Sequence, residues 1–128
     1  MNIHQPSNKI KKPVIVLVED DPSFGMLIKY RLNNSGFETH VAKDGLEAIE
    51  MIFNLDPSLI ICDIMMPYIS GLEIVERVRK ENNQTPIILI SSAGKIEMTL
   101  KAFELGANDF LIKPFIINEL LVTINKLL

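Results

Sequence analysis

A chain of 128 residues with 48% hydrophobic and 23% charged residues fits one globular domain, which at this length buries roughly two-thirds of its unfolded surface. Thirteen Lys and Arg against 16 Asp and Glu leave a formal charge of −3, which speaks against nonspecific capture of nucleic acid or of an anionic membrane surface. The single cysteine, Cys62, excludes an intrachain disulfide and a cysteine-rich zinc site, no apolar run approaches the roughly 18 residues of a membrane span, and the polar start is not a secretory signal, so a cytoplasmic setting is expected.

Residues 1–12 are polar and aperiodic, with Pro6, Lys9, Lys11 and Lys12, and read as a mobile tail ahead of a folded unit over 13–128. The run Val14-Ile15-Val16-Leu17-Val18 is uninterrupted and rich in β-branched residues, the pattern of a strand buried on both faces. Glu19-Asp20-Asp21-Pro22 closes it and opens a helix with Phe24, Leu27, Ile28 and Leu32 at helical spacing, ended by Asn33-Asn34-Ser35-Gly36. Thr39-His40-Val41-Ala42 is a weaker second strand. Asp44-Gly45 then opens a helix with Leu46, Ala48, Ile49, Ile52 and Phe53 expected inward. Leu59-Ile60-Ile61-Cys62 is the third strand and ends at Asp63; a loop with Pro67 and Gly71 leads to a helix whose apolar side is Leu72, Ile74, Val75 and Val78. Pro86 introduces Ile87-Ile88-Leu89-Ile90, which ends at Ser91-Ser92, and a helix over 96–105 stops at Gly106. Phe110-Leu111-Ile112 is the fifth strand, ending at Lys113-Pro114, and the last helix covers 117–127.

Five apolar strands alternating with five helices need helical crossovers, hence a parallel sheet covered on both faces: a doubly wound α/β sandwich of three layers. In such a sheet ligands bind beyond the carboxyl ends of the strands. Those ends carry Glu19-Asp20-Asp21, Asp63, Ser91-Ser92 and Lys113, whereas the second strand ends in nothing distinctive. Converging carboxylates repel one another unless a cation enters. A hard divalent ion with oxygen ligands suits them, Mg2+ best of all, because it keeps several waters. Zinc does not, since the two histidines, His4 and His40, lie in the tail and the second strand. A carboxylate nucleophile with Mg2+, a lysine and a hydroxyl is a set suited to phosphoryl transfer. Taken alone, Glu19-Asp20-Asp21-Pro22 is an ordinary helix cap, but capping explains none of the other three strand ends. Cys62 reads as small buried core, Met65 and Met66 as loop packing, and His40 as a half-exposed strand residue.

Val18-Glu19-Asp20-Asp21-Pro22, then Asp63-Ile64-Met65-Met66-Pro67 with Gly71, then Ser91, then Lys113-Pro114-Phe115 resemble the receiver domain of two-component response regulators, of the stand-alone, chemotaxis-protein-like kind. The resemblance covers residues 13–128 and implies a flavodoxin-like sheet in the order 2-1-3-4-5. It implies that Asp63 accepts a phosphoryl group from phosphohistidine of a sensor histidine kinase or a histidine phosphotransfer protein. Asp20 and Asp63 would bind Mg2+ directly, Glu19 through water, and the Met65 carbonyl would complete the set. A register pairing Asp20 with Asp21 stays open. Ser91 would be the switch hydroxyl, Lys113 the phosphoryl-oxygen partner beside a cis peptide to Pro114, and Phe110 the aromatic that moves inward with Ser91. The rebuilt surface of helix four, strand five and helix five, with Ile96, Lys101, Glu104 and Asn108 as candidate positions, would alter binding to a downstream protein or output domain. No direct nucleic-acid binding, membrane contact or turnover of an external substrate is expected of this domain.

Serine at 91 keeps the hydroxyl that the family more often supplies as threonine. Phe110 lacks a tyrosine hydroxyl. Met65 and Ala93 stand where phosphoryl lifetime is tuned in this family, and neither orients water, so slow self-dephosphorylation is expected. Two other function classes share parts of the set. An aspartyl phosphatase needs a second acid two residues after its nucleophile, where this chain has Met65. A flavin carrier needs a phosphate-binding loop after the first strand, where this chain has three acids.

Overall fold

The structure is a computed structural model and describes residues 11–92 and 96–128. Its elements are β1 (Val14–Val18), α1 (Pro22–Asn34), β2 (Glu38–Ala42), α2 (Gly45–Leu55), β3 (Leu59–Asp63), α3 (Gly71–Lys80), β4 (Ile87–Ser91), α4 (Ile96–Leu105), β5 (Asp109–Ile112) and α5 (Ile117–Leu127). The five strands form one parallel sheet in the order β2-β1-β3-β4-β5. Side chains of a strand alternate between faces, so a run that is apolar at every position feeds two cores. Val16, Val18, Ile60, Cys62 and Leu89 pack with α2, α3 and α4 through Ala48, Ile52, Ile74, Val78 and Ala102. Ile15, Leu17, Ile61 and Ile88 pack on the other face with α1 and α5 through Ile28, Leu32, Leu120 and Ile124. β3 and β4, central in the sheet, are buried at all five positions.

The helices start where polar side chains satisfy free amides. Asp21 accepts from the Ser23 and Phe24 N–H groups at 3.0 and 3.3 Å, with Pro22 in the first turn. Asp44 accepts from Glu47 N–H at 2.8 Å, and Ser70 accepts from Glu73 N–H at 3.2 Å. Gly106, at φ +113°, ends α4 in the left-handed conformation that glycine adopts without cost.

Three expected packing positions are corrected. Leu46 and Phe53 are 56% and 44% exposed instead of inward. α2 buries Gly45, Ala48 and Ile52, and a Cβ on Gly45 would come within 2.5 Å of Ile69. That close approach rotates the larger apolar residues to the flanks. Leu27 of α1 is likewise exposed, with Gly25 buried in its place. The strands extend to Asp63 and Ser91 because the parallel ladder runs through those polar residues. The expected tail falls almost wholly on residues 1–10, outside the described residues, as do Ala93 and the side chain of Ile96. Among the described residues, no helix is long and apolar enough to cross a membrane.

Candidate functional site

At or just past their carboxyl ends, β1, β3 and β5 each deliver one charged residue to a shared pocket. The Lys113 ammonium donates to Asp63 Oδ2 at 2.8 Å and to Glu19 Oε1 at 3.4 Å. The remaining carboxylate oxygens are held by backbone amides: Met65 N–H donates to Asp63 Oδ1 at 3.0 Å, and Asp21 N–H to Glu19 Oε2 at 3.0 Å. Glu19 and Asp63 are 3% and 7% exposed. Two carboxylates so close and so dry are tolerable because a cation and oriented N–H dipoles face them.

The electrostatics follow this arrangement. Burial pushes the Glu19 carboxyl above its ordinary range; the Asp21 amide and the Lys113 charge oppose that shift, and Asp63 adds to it. Burial alone would lower Lys113, but its hydrogen bond to Asp63 and the charges of Asp63 and Glu19 outweigh burial and hold the ammonium above its usual value. Cys62, fully buried beside Asp63, has its thiol pushed far up, first by burial and then by the two carboxylates. It stays an inert thiol and donates to the Asp63 carbonyl at 3.2 Å.

Gly71 sits against this pocket for a steric reason. A Cβ there would lie 2.6 Å from the Asp63 carbonyl oxygen and 2.8 Å from Ile64 Cα, so the start of α3 can press on the end of β3 only with glycine. Ser91, 1% exposed, ends β4 at the register of Ile112, and its carbonyl accepts from Lys113 N–H at 2.8 Å. The Lys113–Pro114 peptide is cis, as expected from the sequence. Phe110 is half-buried against the core beneath α2, α3 and α4. Asp20 is exposed, and Asp21 is engaged in capping α1.

The site also has members that the sequence reading missed. Lys113 Nζ lies 4.5 Å from the centre of the Phe24 ring, and Phe24 meets Phe115 edge-on at 6.1 Å. An aromatic in the first turn after the acidic run was the available signal. Met65 is a correction: it is 67% exposed and does not pack, whereas Met66 does rest on the core. Asn108 is exposed, and its Oδ1 accepts from Ile87 N–H and Arg79 Nη2, both at 2.9 Å. His40 is half-exposed with Nε2 2.7 Å from Glu38 Oε2. Among the described residues, no three acidic, histidine or cysteine side chains form a ready-made metal cage.

Comparison with known proteins agrees with this geometry. Residues 15–125 match the family model described as response regulator receiver domain. The chain is 39% identical over 114 residues to the transcriptional regulatory protein CusR of Escherichia coli K12, covering 89% of this chain and 50% of CusR. It spans about half the length of the curated relatives it matches. The receiver domain of the Francisella response regulator 1452 superposes with a TM-score of 0.87 at 34% identity, covering 91% of this chain and 96% of that one. The chemotaxis response regulator CheY4 of Vibrio cholerae does so with a TM-score of 0.86 at 29% identity, covering 92% of this chain and 100% of that one. With the parallel order β2-β1-β3-β4-β5 and a lysine-bridged acidic pocket at its carboxyl-terminal rim, the chain belongs to the response regulator receiver domain family, the phosphorylation-activated switches of two-component signal transduction.

Proposed function

We propose that Asp63 is the phosphoacceptor, within a receiver unit spanning residues 13–128. The carrying observation is the position of its carboxylate, with Oδ1 held by Met65 N–H and Oδ2 by Lys113. An Asp63 oxygen attacks the phosphorus of a phosphohistidine; the P–O bond forms as the P–N bond breaks, and the imidazole nitrogen leaves with the electron pair. Lys113 passes from the carboxylate to a phosphoryl oxygen as charge moves outward, and Ser91 donates its hydroxyl to another.

The ligand atoms this reading assigns are all oxygens, which fits Mg2+ in preference to zinc. Asp20, Asp63 and the Met65 carbonyl would hold the ion, with Glu19 acting through water. Bound there, Mg2+ would neutralise charge on the transferring phosphoryl group. The alternative pairing of Asp20 with Asp21 is disfavoured by the capping bonds that occupy Asp21. Asp20 is exposed, at the rim where an ion could enter from solvent.

Phosphorylation draws Ser91 and Phe110 inward and changes the surface of α4, β5 and α5, where Lys101 and Glu104 are exposed. The output is an altered affinity for a downstream protein or output domain, with a coupling of about 1–3 kcal/mol. The phosphoryl donor is a sensor histidine kinase or histidine phosphotransfer protein in the cytoplasm. The domain assists its own phosphorylation and dephosphorylation and turns over no external substrate.

The test is intact mass after incubation with Mg2+ and acetyl phosphate. One added phosphoryl group, labile in alkali and absent from Asp63→Asn, supports the reading. No gain in the wild-type protein refutes it.

A further inference from the structure

Phe24 stands in the first turn of α1, where Asp21 Oδ1 accepts from its N–H at 3.3 Å. Side chains of a helix lean toward its amino end, so an aromatic residue at this position reaches back toward the carboxyl-terminal rim of the sheet. Its ring is half-buried against the core shared by α1 and α5. It meets Phe115 edge-on, with ring centres 6.1 Å apart and planes at 74°. Lys113 Nζ lies 4.5 Å from the centre of the Phe24 ring, inside the roughly 6 Å over which an aromatic face attracts a cation. An ammonium has three N–H groups, and this one has three partners: Asp63 Oδ2 at 2.8 Å, Glu19 Oε1 at 3.4 Å and the ring face. The Lys113 side chain is 26% exposed, so water has access to any N–H that lacks a partner.

We infer that Phe24 is the positioning residue for Lys113 in phosphoryl transfer: its ring face holds the ammonium in the pocket as that group passes from the Asp63 carboxylate to a phosphoryl oxygen. The role rests on Asp63 being the phosphoacceptor. The face of a phenyl ring is negative, so it attracts the ammonium, yet it offers no lone pair to compete with the phosphoryl oxygen. A hydroxyl or carboxylate in the same place would form a bond that has to break before Lys113 can move. Cation–π attraction is broad in distance, and from 4.5 Å the ammonium can follow the charge and stay within range of the ring. A donor held in place before charge develops needs no reorganisation during the step. The edge-on contact with Phe115 fixes the plane of the Phe24 ring, and with it the direction from which the ammonium is held.

The test is the rate of phosphoryl gain from acetyl phosphate with Mg2+, followed by intact mass of the full chain. Wild type is compared with Phe24→Leu, Phe24→Tyr and protein carrying mono-, di- or trifluorinated phenylalanine at position 24. Fluorine drains negative charge from the ring face with little change of shape. Phe24→Leu is expected to slow the gain about threefold to tenfold, Phe24→Tyr to keep most of the wild-type rate, and the fluorinated series to fall stepwise. A second readout needs no phosphorylation: urea denaturation, without Mg2+, of wild type, Phe24→Leu, Lys113→Met and the double variant. Packing lost at Phe24 is common to both backgrounds, so a coupling between the two substitutions isolates the contact of ring and ammonium. A leucine variant as fast as wild type, equal rates across the fluorinated series, or strictly additive stabilities would overturn the role while leaving Asp63 as the acceptor. No gain in the wild-type protein would refute the Asp63 reading, and this role with it.

Discussion

Lys113 Nζ lies 2.8 Å from Asp63 Oδ2, although the two residues are 50 positions apart in the chain. The same ammonium reaches Glu19 at 3.4 Å and rests over the Phe24 ring. One side chain therefore ties the ends of β1, β3 and β5 together and compensates two buried carboxylates. Removing one member of a buried pair costs more than the pair contributes, because the other charge is left unpaired. Lys113 is itself about a quarter exposed, which reduces the effect. Lys113→Met is expected to lower the unfolding free energy by roughly 1–3 kcal/mol at neutral pH without Mg2+. Adding Asp63→Asn should recover part of the loss. Urea denaturation of the four proteins in the double-mutant cycle measures the coupling, and strict additivity would contradict it.

The pH dependence of stability carries the same signature. The folded state holds Lys113 above its ordinary value of 10.5 despite burial, through Asp63 and then Glu19. A group whose pKa is raised by folding contributes stability that is full below the unfolded value and lost as pH rises through the folded one. Wild-type stability should therefore fall more steeply above pH 10.5 than that of Lys113→Met. Glu19, raised mainly by burial above 4.5, follows the same sign. Its contribution is full below 4.5 and is lost as pH rises through its folded value, so Glu19→Gln should remove that loss. Denaturant titrations across pH, compared pairwise, check both.

Gly71→Ala places a methyl group 2.6 Å from the Asp63 carbonyl oxygen. Backbone on both sides has to shift, and overpacking of this kind costs about 1–3 kcal/mol. Because the displaced carbonyl belongs to Asp63, the proposed phosphoacceptor, slower phosphorylation by acetyl phosphate should accompany the lower melting temperature. Unchanged values of both would show that the α3 start yields freely.

Asp20 and Asp21 are neighbours to which the proposed function gives separable tasks. Asp21→Ala loses two bonds to the first turn of α1 and is expected to cost about 1 kcal/mol of stability while leaving Mg2+-dependent phosphorylation nearly intact. Asp20→Asn is expected to do the reverse. Thermal unfolding and the Mg2+ dependence of phosphoryl gain distinguish them, and the opposite outcome would make Asp21 the metal ligand.

Met65 projects into solvent two residues after Asp63, with 67% of its surface exposed. It offers no polar group to hold an attacking water against an Asp63 phosphoryl group. Met65→Asn supplies one and should shorten the phosphoryl lifetime by about tenfold or more, since a positioned polar or basic group gives gains of this size or larger. Decay of phosphoprotein followed by intact mass is the readout. A wild-type lifetime of seconds would run against slow self-dephosphorylation.

The strand and helix order was legible from the residues because continuous apolar runs such as 59–62 and 87–90 alternate with 3.6-residue patterns, and only a parallel sheet covered on both faces buries such runs. The polar residues that end those runs marked the functional rim for the same reason, since a carboxylate or hydroxyl terminates an apolar strand visibly. The inward faces of α1 and α2 were less legible. Periodicity favours the largest apolar side chains, but close packing placed Gly25 and Gly45 inward and left Leu27, Leu46 and Phe53 on the flanks.

By itself, the sequence determined that Glu19, Asp63, Ser91 and Lys113 end strands of a doubly wound sheet, because a strand's end is a local property of the chain. Tertiary structure alone decided which oxygen meets which donor: Lys113 bridging Asp63 and Glu19 over Phe24, Asp21 turned to its helix, and Asn108 drawn back to β4. Those choices depend on distances between segments far apart in sequence, set by sheet register and by how closely each helix can approach, which no local pattern of residues encodes.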